Sequence, residues 1–249
     1  MTTVQRAPRR AAKPRLRSSN ARARTASAAK NPTRQRLKPA DREKMIVAGA
    51  VHFFAEVGFE GQTRELARRL GITQPLLYRY FPSKQALIER VYSEFFVNRL
   101  DARDEAALVD HSVPLRERLT RFYLAYARRT VTYEWVRIYM FSGLKGVGLN
   151  ARYQKLLRSR VFTPVIREIR HDRGLPMPPA VPLTEAEFEH VWDLHASIFY
   201  LGVRRWIYGM EWPEELESAV SRRVAAFLDG VPHVIETLLL SDRKGPAAT

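Results

Sequence analysis

No cysteine occurs in the 249 residues. That absence excludes disulfide staples, thiolate metal sites and thiol redox switches, and it is compatible with a reducing compartment. No apolar run approaches the roughly 20 residues that span a bilayer, and the N-terminus lacks the apolar stretch of a secretory signal. The expectation is a soluble intracellular protein with no membrane partner. Motifs that carry chemistry are missing as well: there is no glycine-rich phosphate cradle, nucleophile elbow or paired-carboxylate arrangement. No catalytic residue is therefore assigned and no enzymatic activity is expected. His190 and His195 stand five apart, on different faces of a helix, and His171 beside Asp172 is no better a ligand set. Neither a metal nor a cofactor is expected.

Acidic residues are absent from positions 1–38, which hold twelve of the 42 lysines and arginines, from Arg6 to Lys38. The remaining 30 basic residues face 26 acidic ones, so residues 39–249 carry only +4 of the formal +16. The leader is rich in Ala, Ser, Pro and Arg and offers too little apolar surface to offset the entropy of ordering, so a disordered basic tail is expected. Such an arm attracts phosphates without reading sequence. A plain solubilising extension, a start placed too far upstream and a transit-peptide-like composition remain open beside a weak DNA-affinity role. Residues 241–249 are expected to be disordered too.

What is present from residue 40 onward is helical periodicity. Asp41 is a candidate N-cap for a first helix whose apolar positions are Ile46, Ala50, Phe53, Phe54 and Val57, stopped at Gly58. Thr63 is a candidate cap for a short helix ending at Gly71, and Thr73 for another over Gln74–Tyr80, with Pro75 in its first turn. Ser83 opens a fourth helix carrying Leu87, Ile88, Val91, Tyr92, Phe95 and Phe96. A stripe of Leu115, Leu119, Phe122 and Tyr126 follows Pro114. Tyr133–Tyr139 has strand-like composition but no partner strands, so helix is preferred. Gly143, Gly146 and Gly148 mark a break, and Leu149–Ile169 resumes the period despite Pro164. After a proline-dense loop at 172–183, Thr184 and Glu187 give a capping-box signature for a helix to about Tyr208. A last helix starts at Pro213, with Leu216, Val220, Val224, Phe227, Val231 and Ile235 on one face and a kink expected near Gly230 and Pro232. No repeat is found, and the fold class is all-α.

Two short helices joined by a glycine turn must cross steeply, which suits small Ala67 and apolar Ile72 and Leu77 beneath. The second helix is then free to enter a major groove with its N-terminal residues toward base edges. Ile46, Ala50, Phe54, Gly58, Phe59, Thr63, Leu66, Ala67, Gly71, Ile72, Leu77, Tyr78, Tyr80, Phe81, Lys84 and Leu87 together resemble the TetR family of transcriptional regulators over about residues 42–92. A departure is Gln62-Thr63-Arg64, where many members carry Thr-Thr or Ser-Thr and then an apolar residue. The resemblance implies a three-helix DNA-binding domain at 39–100, followed at 101–240 by a helical bundle for ligand binding and dimerisation.

It also implies a set of contacts that the chemistry allows. Gln74 can pair bidentately with adenine, and Arg79 can reach guanine or a phosphate. Pro75 and Leu76 are placed for thymine methyls. Thr63, Arg64, Tyr78, Tyr80 and Lys84 are expected as backbone clamps, and Thr73 as cap and phosphate contact together. Arg68 and Arg69 read better as a solvated basic face. The implied partners are an operator duplex, a second copy of the chain and a small-molecule effector, with a cytoplasmic, nucleoid-associated location.

The regulatory half supplies candidates by composition. Tyr123, Tyr126, Trp135, Tyr139 and Phe199 are candidate walls of an apolar effector pocket. The stripe Phe188, Val191, His195, Phe199, Gly202 and Trp206, with Val220, Val224 and Phe227 on the last helix, is the candidate dimer interface. The same faces would serve internal packing in a monomer. The leading expectation is a ligand-responsive repressor on a palindromic operator; the alternative is a weakly selective architectural DNA-binding protein using its tail.

Overall fold

Proline in the first turn and glycine just beyond the last frame the first helix, α1 (Pro39–Val57). Pro39 needs no N–H there, and Gly58 adopts a positive φ that ends the run. The start differs from the expectation at Asp41. Lys38 holds the cap position, and Asp41 lies inside the first turn, where a carboxylate complements the helix dipole. The computed structural model describes residues 38–97, 100–146, 148–211 and 215–242, the side chains of 238 and 240–242 excepted. The expectations for 1–37, for a helix start at Pro213 and for residues 243–249 lie outside the described residues.

Every regular element among the described residues is helical. After α1 come α2 (Thr63–Arg69), α3 (Gln74–Tyr80), α4 (Lys84–Phe95), α5 (Ala102–Leu108), α6 (Leu115–Thr130), α7 (Tyr133–Leu144), α8 (Leu149–Leu157), α9 (Thr163–Asp172), α10 (Glu185–Trp206) and α11 (Leu216–Asp242). Ser83 caps α4 through Ala86 N–H at 3.0 Å, and Thr184 and Glu187 form the reciprocal capping box that opens α10. Asp101 caps α5, a helix the apolar pattern alone does not signal.

A π-helical turn, Arg158–Phe162, joins α8 to α9. Its wider ring leaves Pro164 in the first turn of α9, where a missing N–H costs nothing. Pro232 lies inside α11, which runs unbroken past it.

The described residues from Lys38 onward form one compact unit. α1 packs on α7, α6 on α11, and α10 on both α7 and α11. Ile46, Ala50, Phe54, Leu66 and Leu77 are buried among the N-terminal helices, and Trp135, Val136, Val191, Val220 and Val224 in the rest of the bundle. An arginine ties the two together. Arg137 of α7 donates from Nε to the carbonyl of Ala55 at 2.6 Å and from Nη2 to that of Glu56 at 3.4 Å. Those carbonyls end α1 and have no partner within the helix, so α7 supplies the cap that the sequence of α1 does not.

Candidate nucleic-acid interface and buried cavity

Gly71 takes a φ of +62° between α2 and α3, a conformation side chains resist. The turn closes with Ile72 N–H on the carbonyl of Ala67 at 3.0 Å. Thr73 caps α3 by accepting from Leu76 N–H at 3.3 Å. On this seven-residue helix Leu77 is the buried residue, so the remaining circumference is presented outward. Thr73, Pro75, Tyr78 and Arg79 are exposed, and Gln74, Leu76 and Tyr80 half-buried. Arg64 is exposed on α2, and Lys84 is half-buried at the start of α4.

Thr63 does not cap α2 as its spacing suggests. It is the first residue of α2 and makes no cap hydrogen bond, Gln62 holding the cap position. Its buried hydroxyl shares a hydrogen bond with the Tyr78 hydroxyl at 2.9 Å and accepts from Gln74 Nε2 at 3.2 Å. Thr63 thus supports α3 from behind. Gln74 keeps its second N–H and its Oε1 free of that bond, the pair of groups that adenine recognition requires.

Arg68 and Arg69 both hydrogen-bond Glu65, at 2.8 and 3.0 Å, and Arg69 also reaches Glu56. Arg68 first, then Arg69, holds the Glu65 carboxyl down to about 2. Their charge is compensated within the chain, in keeping with a solvated face.

A cavity of about 270 Å³ lies between α7, α8 and α10. Trp135 and Tyr139 of α7 stack at 5.0 Å on one wall, and Tyr153, Trp192 and Phe199 supply other aromatic surfaces. Trp135, Tyr139 and Phe199 therefore line it, whereas Tyr123 and Tyr126 are not among the lining residues. Tyr126 is fully buried, its hydroxyl hydrogen-bonded with that of Tyr153 at 2.9 Å and with His195 Nε2 at 3.1 Å. Burial raises the hydroxyl pKa of Tyr126 and Tyr153 and lowers the imidazole pKa of His195 to about 3. Sequence reasoning missed Tyr153, Trp192 and His195 as lining residues. A signal was available: Trp192, His195, Ala196 and Phe199 follow i, i+3, i+4, i+7, one continuous helix face.

Residues 46–91 match the family of bacterial regulatory proteins described as the tetR family. This N-terminal segment is of the TetR type. Over 73 residues the chain is 41% identical to the tetracycline repressor protein class A from transposon 1721 of Escherichia coli, a match spanning 28% of each chain. A TetR-like regulator from Rhodococcus sp. RHA1 superposes with a TM-score of 0.59 at 17% identity, over 78% of this chain and 96% of that one. The regulator PfmR from Thermus thermophilus gives 0.55 at 21%, over 74% and 97%. At these identities the likeness is one of fold, and it extends the TetR-family architecture through the helical bundle.

Within the helical bundle the stripe expected to face a second copy is used inside the chain. Val191, Val220 and Val224 are wholly buried, and Phe188, His195 and Phe227 nearly so. Phe199 and Trp206 are half-buried, and Trp206 donates from Nε1 to the carbonyl of Val131 at 3.2 Å. Gly202 does allow a close helix approach, but to α7. A Cβ there would lie 2.6 Å from Val136 Cγ2 and 2.9 Å from Val131 Cγ1. The physical reason is that α10 is packed by α7, α9 and α11, so its most apolar face closes the core. Tyr200 of α10 and Val234 of α11 are among the large hydrophobics left exposed.

Proposed function

We propose that this chain is a TetR-family, ligand-responsive transcriptional repressor that binds a palindromic operator as a dimer. In this reading residues 39–100 form the reader and 101–240 the regulatory part, and the protein works in the cytoplasm on the nucleoid. The observation that carries it is α3: a capped helix attached through one buried leucine, with Gln74, Pro75, Leu76 and Arg79 presented outward. Gln74 reads adenine, Pro75 and Leu76 meet thymine methyls, and Arg79 meets guanine or a phosphate. Arg64, Thr73, Tyr78, Tyr80 and Lys84 position the reader on the backbone. Thr63 acts through Gln74 and Tyr78.

Dimerisation uses the exposed flanks of α10 and α11, including Tyr200 and Val234, and sets two readers about 34–36 Å apart for successive major grooves. The aromatic cavity is the effector site. No described helix is long and apolar enough to cross a membrane. The test is binding of the full chain to DNA upstream of its own coding region, against scrambled competitor at physiological salt. Gln74→Ala is expected to cost about 1–3 kcal/mol on the cognate duplex and to relax base choice at one position. Equal losses on scrambled DNA would remove Gln74 from the reading role. If a random-sequence selection also returns no preferred site, the architectural alternative takes precedence.

A further inference from the structure

The cavity has mainly aromatic walls, and two of its lining residues carry a buried nitrogen without a partner. Trp135, Tyr139, Tyr153, Trp192 and Phe199 present flat aromatic surfaces, and no lysine or arginine is among the lining residues. Asp193, its side chain 82% exposed, is the one charged group at the rim. A carboxylate or phosphate entering here would lose its hydration with no cation to replace it.

Two lining residues carry a buried nitrogen without a partner in the described structure: Nδ1 of His195 and Nε1 of Trp135. The indole N–H can only donate. The imidazole is held neutral by burial, its pKa lowered to about 3, so Nδ1 is a donor or an acceptor according to which way Tyr126 shares its proton with Nε2. A hydroxyl suits either state of Nδ1, because it can donate or accept. Size sets the rest. An apolar cavity of about 150 Å³ accepts one benzene ring, and this one, at about 270 Å³, has room for two.

We propose that this cavity binds an uncharged two-ring aromatic compound bearing a hydroxyl group, which hydrogen-bonds to His195 while its rings lie against Trp135, Tyr139 and Phe199. The proposal rests on the effector reading above and narrows it to a ligand class.

The full chain is titrated at neutral pH with 2-naphthol, naphthalene and 2-naphthoate, with tryptophan fluorescence and melting temperature as readouts. Saturable quenching by 2-naphthol is expected, with naphthalene and 2-naphthoate each at least about tenfold weaker, a gap of 1.4 kcal/mol or more. His195→Phe keeps an aromatic wall and removes both ring nitrogens, so 2-naphthol should fall to within about twofold of naphthalene. Ala196→Leu fills the cavity from its α10 wall and should weaken all aromatic probes while the circular dichroism stays helical.

Tighter binding of 2-naphthoate than of 2-naphthol overturns the proposal. So does an unchanged gap between 2-naphthol and naphthalene in His195→Phe, or undiminished binding in Ala196→Leu. Should His195→Phe fail to fold, the probe ranking in the unaltered chain and Ala196→Leu decide alone. Operator affinity read in parallel separates the two levels. Binding of 2-naphthol with no change in DNA affinity upholds the ligand class and removes the effector reading. DNA release by charged metabolites alone, with no 2-naphthol binding, keeps an effector and overturns the class.

Discussion

Arg170 is wholly buried yet fully partnered. Its guanidinium pairs bidentately with Glu187, both contacts at 2.6 Å, and donates to the carbonyls of Pro176, Val181 and Pro182. Glu187 in turn accepts from Thr184 N–H at 2.7 Å. One residue of α9 therefore pins the proline-dense loop and the start of α10, satisfying carbonyls that the prolines cannot pair among themselves. Removing the cation strands a buried carboxylate, so Arg170→Met is expected to destabilise the chain by about 3–5 kcal/mol in denaturant unfolding. Arg170→Met with Glu187→Met should recover most of that loss; a double variant as weak as the single would show that the loop carbonyls, not the ion pair, dominate. The capping box at Thr184 and Glu187 was legible in the sequence because its partners are three residues apart. Arg170 was not, because its partner is seventeen residues away across a loop. The same limit applies to Thr63: its spacing marked a helix start, but its bonds to Gln74 and Tyr78 cross the turn and appear only once α2 and α3 are docked.

α10 shows how much an element can do beyond its periodicity. The heptad-like spacing of Phe188, Val191, His195 and Gly202 was readable, but not whether that face met a second copy or α7, since an apolar stripe states burial and not its partner. The residues on it also differ in chemistry. His195 faces Tyr126, with Asp193 as the charged residue nearest along the cavity rim. The unfolded chain protonates this histidine near its ordinary value of 6.5, whereas burial in the fold keeps it neutral to about 3. Between those values the unfolded state binds the additional proton, so the stabilising contribution is complete above the unfolded value and is lost as pH falls. The loss amounts to at most about 1.4 kcal/mol per pH unit. Unfolding free energies measured between about pH 6 and 5 should therefore fall faster in the native chain than in His195→Phe. Parallel slopes in the two proteins would mean that acidic residues elsewhere set the whole acid response.

At the scale of the molecule, two contacts join the N-terminal helices to the cavity walls. Phe96, just past α4, meets Trp135 and Tyr153 with ring centroids 5.1 and 5.6 Å apart. α7 carries Trp135 and Tyr139 toward the cavity, and Arg137 between them toward the carbonyls at the end of α1. In the effector reading, a ligand that favours a position of α7 in which that cap is stretched has unequal affinity for the two states, and so has leverage on DNA binding. Arg137→Ala is expected to leave cavity binding unchanged and to shrink the ratio of operator affinities without and with ligand. An unchanged ratio would assign the coupling to α4 alone. None of this was legible in the sequence: Arg137 reads as one charge in an aromatic run, and its role depends on α1 ending beside α7.

In the repressor reading, residues 1–38 add affinity for DNA without base choice. Their twelve cations cannot choose a base, but each phosphate they neutralise steepens the dependence of log affinity on log salt by about 0.9. Deleting residues 1–38 should weaken cognate and scrambled DNA by a similar factor and flatten the salt slope, leaving their ratio to Gln74 and its neighbours. Binding isotherms over a salt series test this directly. An unchanged slope would make the tail an extension without a DNA role, and a ratio that collapses with the deletion would place sequence reading in the tail instead of α3.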